Sequence, residues 1–252
     1  MPQIDPAWTV ATLLLWARLG ALLTLSPLGQ AIKAPAAFWV LFTLVLSGTL
    51  CAALGLRTAV PASVASLAVM LLTEVALGAL LGFGLHAAFA ALTMAGRLLD
   101  LQIGFGMAAV LDPVTRVNAP VLGVALSLLG MSVFFGVDAH HALLRGISHS
   151  AQWVPPGALW QVPDAATLLR AVGAMFSMGI VVMAPALFLL LLIEIVVDVI
   201  SRVMPQMNVM FVAMPVKALV GLAILAVAAP GMAPALRRLY AGVFEFWQEV
   251  LP

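Results

Sequence analysis

The chain has 252 residues, of which 64% are hydrophobic and only 8% are charged, and its mean hydropathy is +1.18. A soluble domain is roughly 45–50% apolar and about 25% charged, so this composition excludes an ordinary water-soluble enzyme or binding module. The 11 basic and 10 acidic residues are scattered singly, which excludes a nucleic-acid-binding surface. The single cysteine, Cys51, excludes an intramolecular disulfide and a multi-cysteine metal site.

Six apolar stretches predict an all-α integral membrane protein. About 18 consecutive apolar residues without charge suffice for a transmembrane helix. Five runs reach that length, and a sixth is interrupted only by Arg18. The runs lack the alternation of polar and apolar residues that the strands of a membrane barrel show. We therefore expect about six long hydrophobic helices, over residues 6–32, 34–56, 75–96, 117–137, 171–193 and 218–236.

Proline and glycine positions divide these stretches into helical hairpins. The segment 26–35 separates the first two helices, and the segment 57–61 ends the second. Residues 62–103 are predicted to form one very long helix, longer than a bilayer requires at about 1.5 Å per residue. The glycines at 104 and 106 are expected to end it.

The widest polar connection, 138–165, is predicted to be a surface loop, because tryptophan favours the membrane–water boundary. Adjacent histidines on a helix point in different directions, so the histidines here are interpreted as part of a solvated loop, with metal binding as the alternative. The residues concerned are Trp153, Trp160, Asp138, His140, His141 and His149.

No catalytic signature occurs in the chain. HExxH, GxSxG, Walker and CxxC motifs are absent from the sequence, and the glycine pair at 104 and 106 lacks the strand and the third glycine of a nucleotide site. We therefore predict no enzymatic activity, no catalytic residue, no cofactor and no bound metal.

Ionisable residues inside apolar segments carry more information. A charge at the bilayer centre costs roughly 2.5–3.5 kcal/mol on insertion scales. Three of these residues follow an i, i+4, i+8 spacing along one helix face. We interpret the set as structural polar contacts with a neighbouring helix or subunit, and a proton or ion relay is the alternative. In the isolated chain the faces that bear Glu74, Glu194 and Asp198 are expected to lack partners. The residues are Glu74, Glu194, Asp198, Arg202 and Lys217.

The segment 104–120 is apolar yet unsuited to a helix, because it combines glycines with Asp112-Pro113 and Pro120. Such a backbone is tolerated at membrane depth only where protein buries it or where it lines a cavity. A re-entrant loop or pore plug is therefore predicted, and a surface loop is the alternative. The candidate residues are Gly104, Phe105, Gly106, Met107, Val110, Leu111, Asp112, Pro113, Asn118 and Pro120.

The segment 204–215 combines four methionines with two prolines and two polar residues. Methionine is flexible and polarizable, so it seals well against irregular surfaces. We expect a break between helices with a gasket-like contact surface, and ordinary packing is an equal alternative. The residues are Met204, Pro205, Gln206, Met207, Asn208, Met210, Met214 and Pro215.

These two segments resemble the signature regions of the FliR family, flagellar biosynthesis proteins of the bacterial type III export apparatus. The similarity lies in the runs 98–123 and 201–225, and 134–147 matches the family pattern after its middle hydrophobic helix. It extends over essentially the whole chain. The motifs Leu111-Asp112-Pro113, Asn118-x-Pro120 and Met204-Pro205-Gln206 are specific in combination. Injectisome export proteins share this core pattern.

The resemblance implies a non-enzymatic export-gate subunit in the bacterial inner membrane, at the flagellar basal body. Residues 1–252 would form a single membrane-embedded subunit of bent helical hairpins, within a helical assembly around a pore. The implied partners are FliP-type and FliQ-type gate subunits, an FlhB-type protein and unfolded export substrates. The family's plug-like loop maps onto residues 103–121.

Two other functions are weighed against the flagellar gate subunit. The first is the equivalent subunit of a virulence injectisome. The second is an independent secondary transporter, which would show paired discontinuous helices in two related halves. An intramembrane protease has no motif in its favour.

Overall fold

The computed structural model describes residues 5–31, 34–104, 121–203 and 209–251, without the side chains of Ala31 and of residues 209–214. Every regular element in these ranges is an α-helix, which confirms the predicted fold class. In chain order the helices are α1 (Pro6–Leu25), α2 (Pro27–Ala31), α3 (Ala36–Leu54), α4 (Val64–Ile103), α5 (Val121–Gly136), α6 (Ala139–Trp153), α7 (Ala165–Val203) and α8 (Val209–Val250).

The helix ends follow the predicted punctuation. The carboxylate of Asp5 accepts a hydrogen bond from the backbone N–H of Ala7 (3.0 Å) and so caps α1, which has Pro6 as its first residue. Helix α3 ends at Gly55, whose φ of 64° suits glycine. The 40-residue helix α4 confirms the long helix predicted over 62–103.

The predicted surface loop over 138–165 is wrong for most of its length, because α6 occupies residues 139–153. This helix is amphipathic. Its buried residues Ala139, Leu143 and Ile147 are four apart, and Ser150 and Ala151 continue the same face. The non-helical connection is therefore confined to residues 154–164.

Five helices, α1, α3, α4, α7 and α8, are long and apolar enough to cross a membrane, and α5 with α6 would make a sixth, broken span. Helix α3 is an example of the apolar surface that these helices expose. It carries no charged residue over 36–54, and most of its large side chains, such as Leu41 and Val45, are exposed. Exposed apolar area of this extent is suited to lipid or to neighbouring protein.

The helices form two compact units. Unit 1 comprises Met1–Ala87, Ala139–Val172 and Gly242–Pro252. In it α1 and α4 approach closely, because a Cβ on Gly78 would overlap the backbone carbonyl of Arg18. The indole N–H of Trp247 donates to the carbonyl of Leu81 (3.1 Å), which ties the end of α8 to α4.

Unit 2 comprises Ala88–Asp138 and Gly173–Ala241. Its centre is an aromatic cluster of Phe89, Phe134 and Tyr240, with ring centroids 5.3–6.2 Å apart. The buried hydroxyl of Tyr240 donates to the carbonyl of Gly130 (2.6 Å). This bond satisfies the polar end of an otherwise apolar side chain and joins α8 to α5.

Candidate functional site

Gly104 is the one residue of the predicted plug set that lies within the described part of the chain. Its φ is 94°, and its N–H donates to the carbonyls of Asp100 (3.1 Å) and Leu101 (3.2 Å). A left-handed glycine is a common helix terminator, so the predicted end of the long helix at this position is confirmed. The other members lie outside the described residues: Phe105, Gly106, Met107, Val110, Leu111, Asp112, Pro113, Asn118 and Pro120.

Asp100, in the last turn of α4, holds the start of α5 against α4. Its carboxylate accepts hydrogen bonds from the backbone N–H groups of Leu122 (3.0 Å) and Gly123 (3.2 Å). These groups belong to the first turn of α5, where a helix has unpaired N–H donors and a partial positive charge. Asp100 is only 5% exposed, so it acts as a buried cap supplied by another helix.

Close backbone packing supports this cap. A Cβ on Gly96 would overlap the Cα of Gly123, so only glycine permits α4 and α5 to approach this closely. We call Gly96, Asp100, Leu122 and Gly123 the Asp100 clamp. It fixes the first turn of α5 beside the last turn of α4, one turn before α4 ends at Ile103. No member of this clamp was predicted from the sequence.

Unit 1 contains a buried ion pair between Arg18 of α1 and Glu74 of α4. The Nε of Arg18 donates to Oε2 of Glu74 (2.6 Å) and its Nη2 donates to Oε1 (3.1 Å). The side chains are 1% and 2% exposed. Such a bidentate, charge-assisted contact is stronger than a neutral hydrogen bond, and it fixes the orientation of the two side chains relative to each other.

The remaining groups of this pair are also bonded. The Nη1 of Arg18 donates to the carbonyl (2.9 Å) and hydroxyl (3.3 Å) of Ser150, and Nη2 donates to the carbonyl of Val154 (2.8 Å). The N–H of Gly157 donates to Oε1 of Glu74 (2.9 Å). We call these five residues the Arg18 cluster. It joins α1 and α4 to the C-terminal end of α6, where a cation is favoured by the helix dipole.

The Arg18 cluster corrects the expectation that Glu74 lacks a partner in the isolated chain. Its partner is Arg18, which the sequence analysis treated only as an interruption of the first apolar stretch. The described members of the cluster include no second acid, and the structural interpretation of Glu74 stays a prediction.

In unit 2, Lys217 of α8 donates to Glu194 of α7 (Nζ–Oε1 3.0 Å). This pair also corrects the expectation for Glu194, since its partner comes from the same chain. The contact is more open than the Arg18 cluster, with 42% of the Glu194 side chain and 17% of the Lys217 side chain exposed. Asp198 and Arg202 lie exposed further along α7.

The structure describes only part of the predicted break over 204–215. Met204, Pro205, Gln206, Met207 and Asn208 lie outside the described residues, whereas Met210, Met214 and Pro215 lie within α8. The helix therefore continues through Pro215 and does not break there. Proline is tolerated in membrane helices, because neighbouring groups and local adjustments satisfy the freed backbone carbonyl.

The histidines predicted to lie in a solvated loop lie in α6 instead. The ring centroids of His140 and His141 are 4.1 Å apart, so these neighbouring rings do not point apart as the helical geometry had suggested. His149 lies two turns further on, and its ring contacts Trp153 (5.8 Å between centroids).

Comparison with known proteins places this architecture. The chain matches the family described as bacterial export proteins, family 1, over residues 9–243. It is 30% identical to the flagellar biosynthetic protein FliR of Pectobacterium carotovorum, over 72% of this chain and 70% of that protein. It is 29% identical to FliR of Caulobacter vibrioides, over 87% and 88%. It is also 30% identical to Yop proteins translocation protein T of Yersinia pestis, over 57% and 56%.

The described residues form five or six helices of membrane length, and together with the similarity to FliR this makes the chain a multi-pass protein of the bacterial inner membrane. The chain belongs to the bacterial export proteins, family 1. The resemblance noted in the sequence is thereby confirmed.

Proposed function

We propose that this chain is a subunit of the flagellar type III protein export gate, and that it helps to form the pore and its plug. Unfolded flagellar proteins would cross the inner membrane through this pore. The chain would act without catalysis and as one subunit over residues 1–252. Its partners would be FliP-type and FliQ-type gate subunits and an FlhB-type protein.

The plug role rests on the Asp100 clamp. A pore wide enough for an unfolded chain leaks ions unless something occludes it at rest, and apolar side chains exclude water from a constriction. The segment 105–120 supplies such side chains in Phe105, Met107, Val110 and Leu111. Because the Asp100 clamp fixes the return of this segment into α5 beside α4, the segment is suited to work as a tethered plug.

The methionine-rich segment 204–215 is proposed to seal the gate as a gasket. Its methionines adapt to irregular surfaces; in the sequence Met204 and Met207 lie between the long helices α7 and α8, and Met210 and Met214 belong to α8. The equivalent subunit of an injectisome is the second candidate function, favoured by the 30% identity to the Yersinia translocation protein over 57% of this chain.

Deletion of residues 107–112 tests the plug. We expect the variant to assemble with the FliP-type and FliQ-type subunits, because the Asp100 clamp is untouched, and to let ions pass in an electrical or dye-flux assay. A matched variant replaces the same six residues by glycine and serine at constant length. It should also leak, since it removes the apolar side chains.

The two variants separate length from apolarity. If the deletion leaks and the glycine–serine replacement does not, the segment blocks the pore by its bulk and not by its apolar side chains. If both complexes assemble and conduct no more than the parent, the segment is not the plug.

A further inference from the structure

Three side chains of the kinds that bind metal ions converge at the turn between α5 and α6. They are Asp138, His140 and His141, which lie within four consecutive residues. With one ligand atom taken from each, a carboxylate oxygen or an imidazole nitrogen, these atoms all lie within 4.8 Å of one another. The convergence is local, because the three residues belong to one short stretch of backbone.

The backbone of Asp138 contributes to this arrangement. Its φ is 57°, in the left-handed region that non-glycine residues rarely adopt and that aspartate tolerates better than most. Among the described residues, no other non-glycine residue has a positive φ. An unfavourable backbone conformation of this kind persists only where its surroundings hold it, and such conformations cluster at functional sites.

The two imidazoles converge although they are neighbours in the first turn of α6. Consecutive side chains of a helix project in different directions. The ring centroids of His140 and His141 are nevertheless only 4.1 Å apart, so both side chains turn toward the same place. Metal binding, the alternative weighed for these histidines from the sequence, is favoured by this geometry.

Two imidazoles and one carboxylate form a donor set that is typical of three-ligand zinc sites, in which water takes the fourth tetrahedral position. Asp138 and His141 are exposed and His140 is half-buried, so solvent can supply that water. Zinc bonds of roughly 2.0–2.2 Å hold tetrahedral ligand atoms about 3.4 Å apart, so from 4.8 Å the ligands would close by about 1.4 Å. Rotation of exposed side chains between rotamers covers such a distance.

The donor set also selects among metals. Calcium and magnesium prefer shells made of oxygen ligands, whereas two of the three donors here are imidazole nitrogens. Imidazole suits zinc, copper and nickel. Of these, zinc has no redox chemistry and no geometric preference from its d-electrons, so it adapts to the arrangement that the turn imposes.

We propose that Asp138, His140 and His141 form a zinc site that fixes the turn at the start of α6. The role is structural: the ion would hold the positive-φ turn and the first turn of α6 in one arrangement. Since the C-terminal end of α6 already bonds Arg18, the ion would anchor this helix at its other end as well. The proposal is independent of the proposed export function, because all three protein ligands belong to this chain.

Zinc titration of the full chain in detergent tests the site. The chain carries an affinity tag without histidine and is first freed of metal, and bound zinc is measured by competition with a chromogenic chelator. We expect one ion per chain. His141→Ala and Asp138→Asn should each weaken binding at least about tenfold, since even the loss of a group that only supports a ligand costs that much. Asparagine also tolerates a positive φ, so Asp138→Asn tests the ligand and not the backbone.

The matched control is His149→Ala, which removes an exposed histidine two turns further along α6 and leaves the three ligands in place. This variant should bind zinc like the parent. The unfolding temperature of each chain is measured with and without zinc. Zinc should raise it for the parent and for His149→Ala, and should leave it unchanged for the two ligand variants, because only a bound ion stabilises the folded state.

Two results would overturn the zinc site. If the parent binds zinc but His141→Ala and Asp138→Asn bind it equally tightly, the metal is an adventitious ion only. If the parent binds no zinc and Asp138→Asn lowers the unfolding temperature of the metal-free chain, the cluster is an ion pair of carboxylate and imidazole. Neither result bears on the proposed function, which is tested by ion flux through the assembled gate.

Discussion

Two regions set acids and bases among apolar side chains: the Arg18 cluster in unit 1, and the charged stretch of α7 in unit 2 with Glu194, Asp198 and Arg202. Within the described residues, only the Arg18 cluster pairs all of its charges. Arg18 and Glu74 are 1% and 2% exposed, and all five N–H groups of the guanidinium have an acceptor within the chain. On α7, the Glu194 side chain is 42% exposed, and Asp198 and Arg202 form no ion pair within the described residues.

The difference distinguishes an ion pair that is closed within the fold from charged side chains that stay exposed. A buried ion pair gains little net stability over well-packed apolar residues, but losing one of its two partners is costly. The Arg18 cluster therefore determines how α1, α4 and α6 pack within unit 1. Asp198 and Arg202 on α7 are exposed, so they contribute little to the packing within unit 2.

The largest expected effect is in the Arg18 cluster. Arg18→Met leaves the Glu74 carboxylate buried beside the Gly157 N–H alone, so we expect a loss of about 3–5 kcal/mol in the free energy of unfolding. The measurement is denaturant-induced unfolding of the chain in detergent micelles.

The control for Arg18→Met is the double variant Arg18→Met, Glu74→Leu, which removes both charges and should recover most of the loss. Equal stability of the single and double variants would show that the loss comes from packing and not from an unpaired carboxylate.

Asp100 is a further buried acid, and its charge is satisfied by backbone N–H groups and not by a base. Asp100→Asn keeps one acceptor oxygen and loses the charge at the start of α5, so we expect a loss of about 1–2 kcal/mol. In the assembled gate, ion flux at rest should rise because the plug is held less firmly. Asp100→Asn complexes that assemble and conduct like the parent would separate the Asp100 clamp from the plug.

The smallest effect is expected for the partly exposed pair of Glu194 and Lys217. Glu194→Gln should lower the free energy of unfolding of the isolated chain by less than about 1 kcal/mol, because solvent screens such pairs. The measurement is the same denaturant titration, with Lys217→Gln as the reciprocal variant. A loss as large as that of Arg18→Met would show that solvent does not screen the Glu194–Lys217 pair, and that the fold depends on it as much as on the Arg18–Glu74 pair.

Local sequence patterns were sufficient for most of the fold. The uncharged stretches predicted the long helices, and glycine at 104 predicted the end of α4, because both signals depend on neighbouring residues. Helix α6 was missed although its apolar residues Leu143 and Ile147 are four apart. The histidines, prolines and tryptophans of that region made its composition resemble that of a loop.

The polar contacts depended on residues that lie far apart in the sequence. Arg18 and Glu74 are separated by 56 residues, so neither local spacing nor hydropathy connects them. Asp100 was passed over for the same reason, since it caps a helix whose first N–H groups lie 22 and 23 residues further on. Glu74 was recognised only because burying an acid in an apolar stretch costs free energy. That cost indicates that the acid has a partner, but it does not identify the partner residue.

The Asp100 clamp has a consequence for how the chain between Gly104 and Val121 can change over time. Bringing two ends of a flexible chain together has an entropy cost that grows only with the logarithm of its length, so doubling the length adds only about 0.6 kcal/mol. Asp100, Leu122 and Gly123 hold the returning end in place whatever lies between. Insertions and deletions in that stretch should therefore accumulate among relatives without loss of the unit 2 fold.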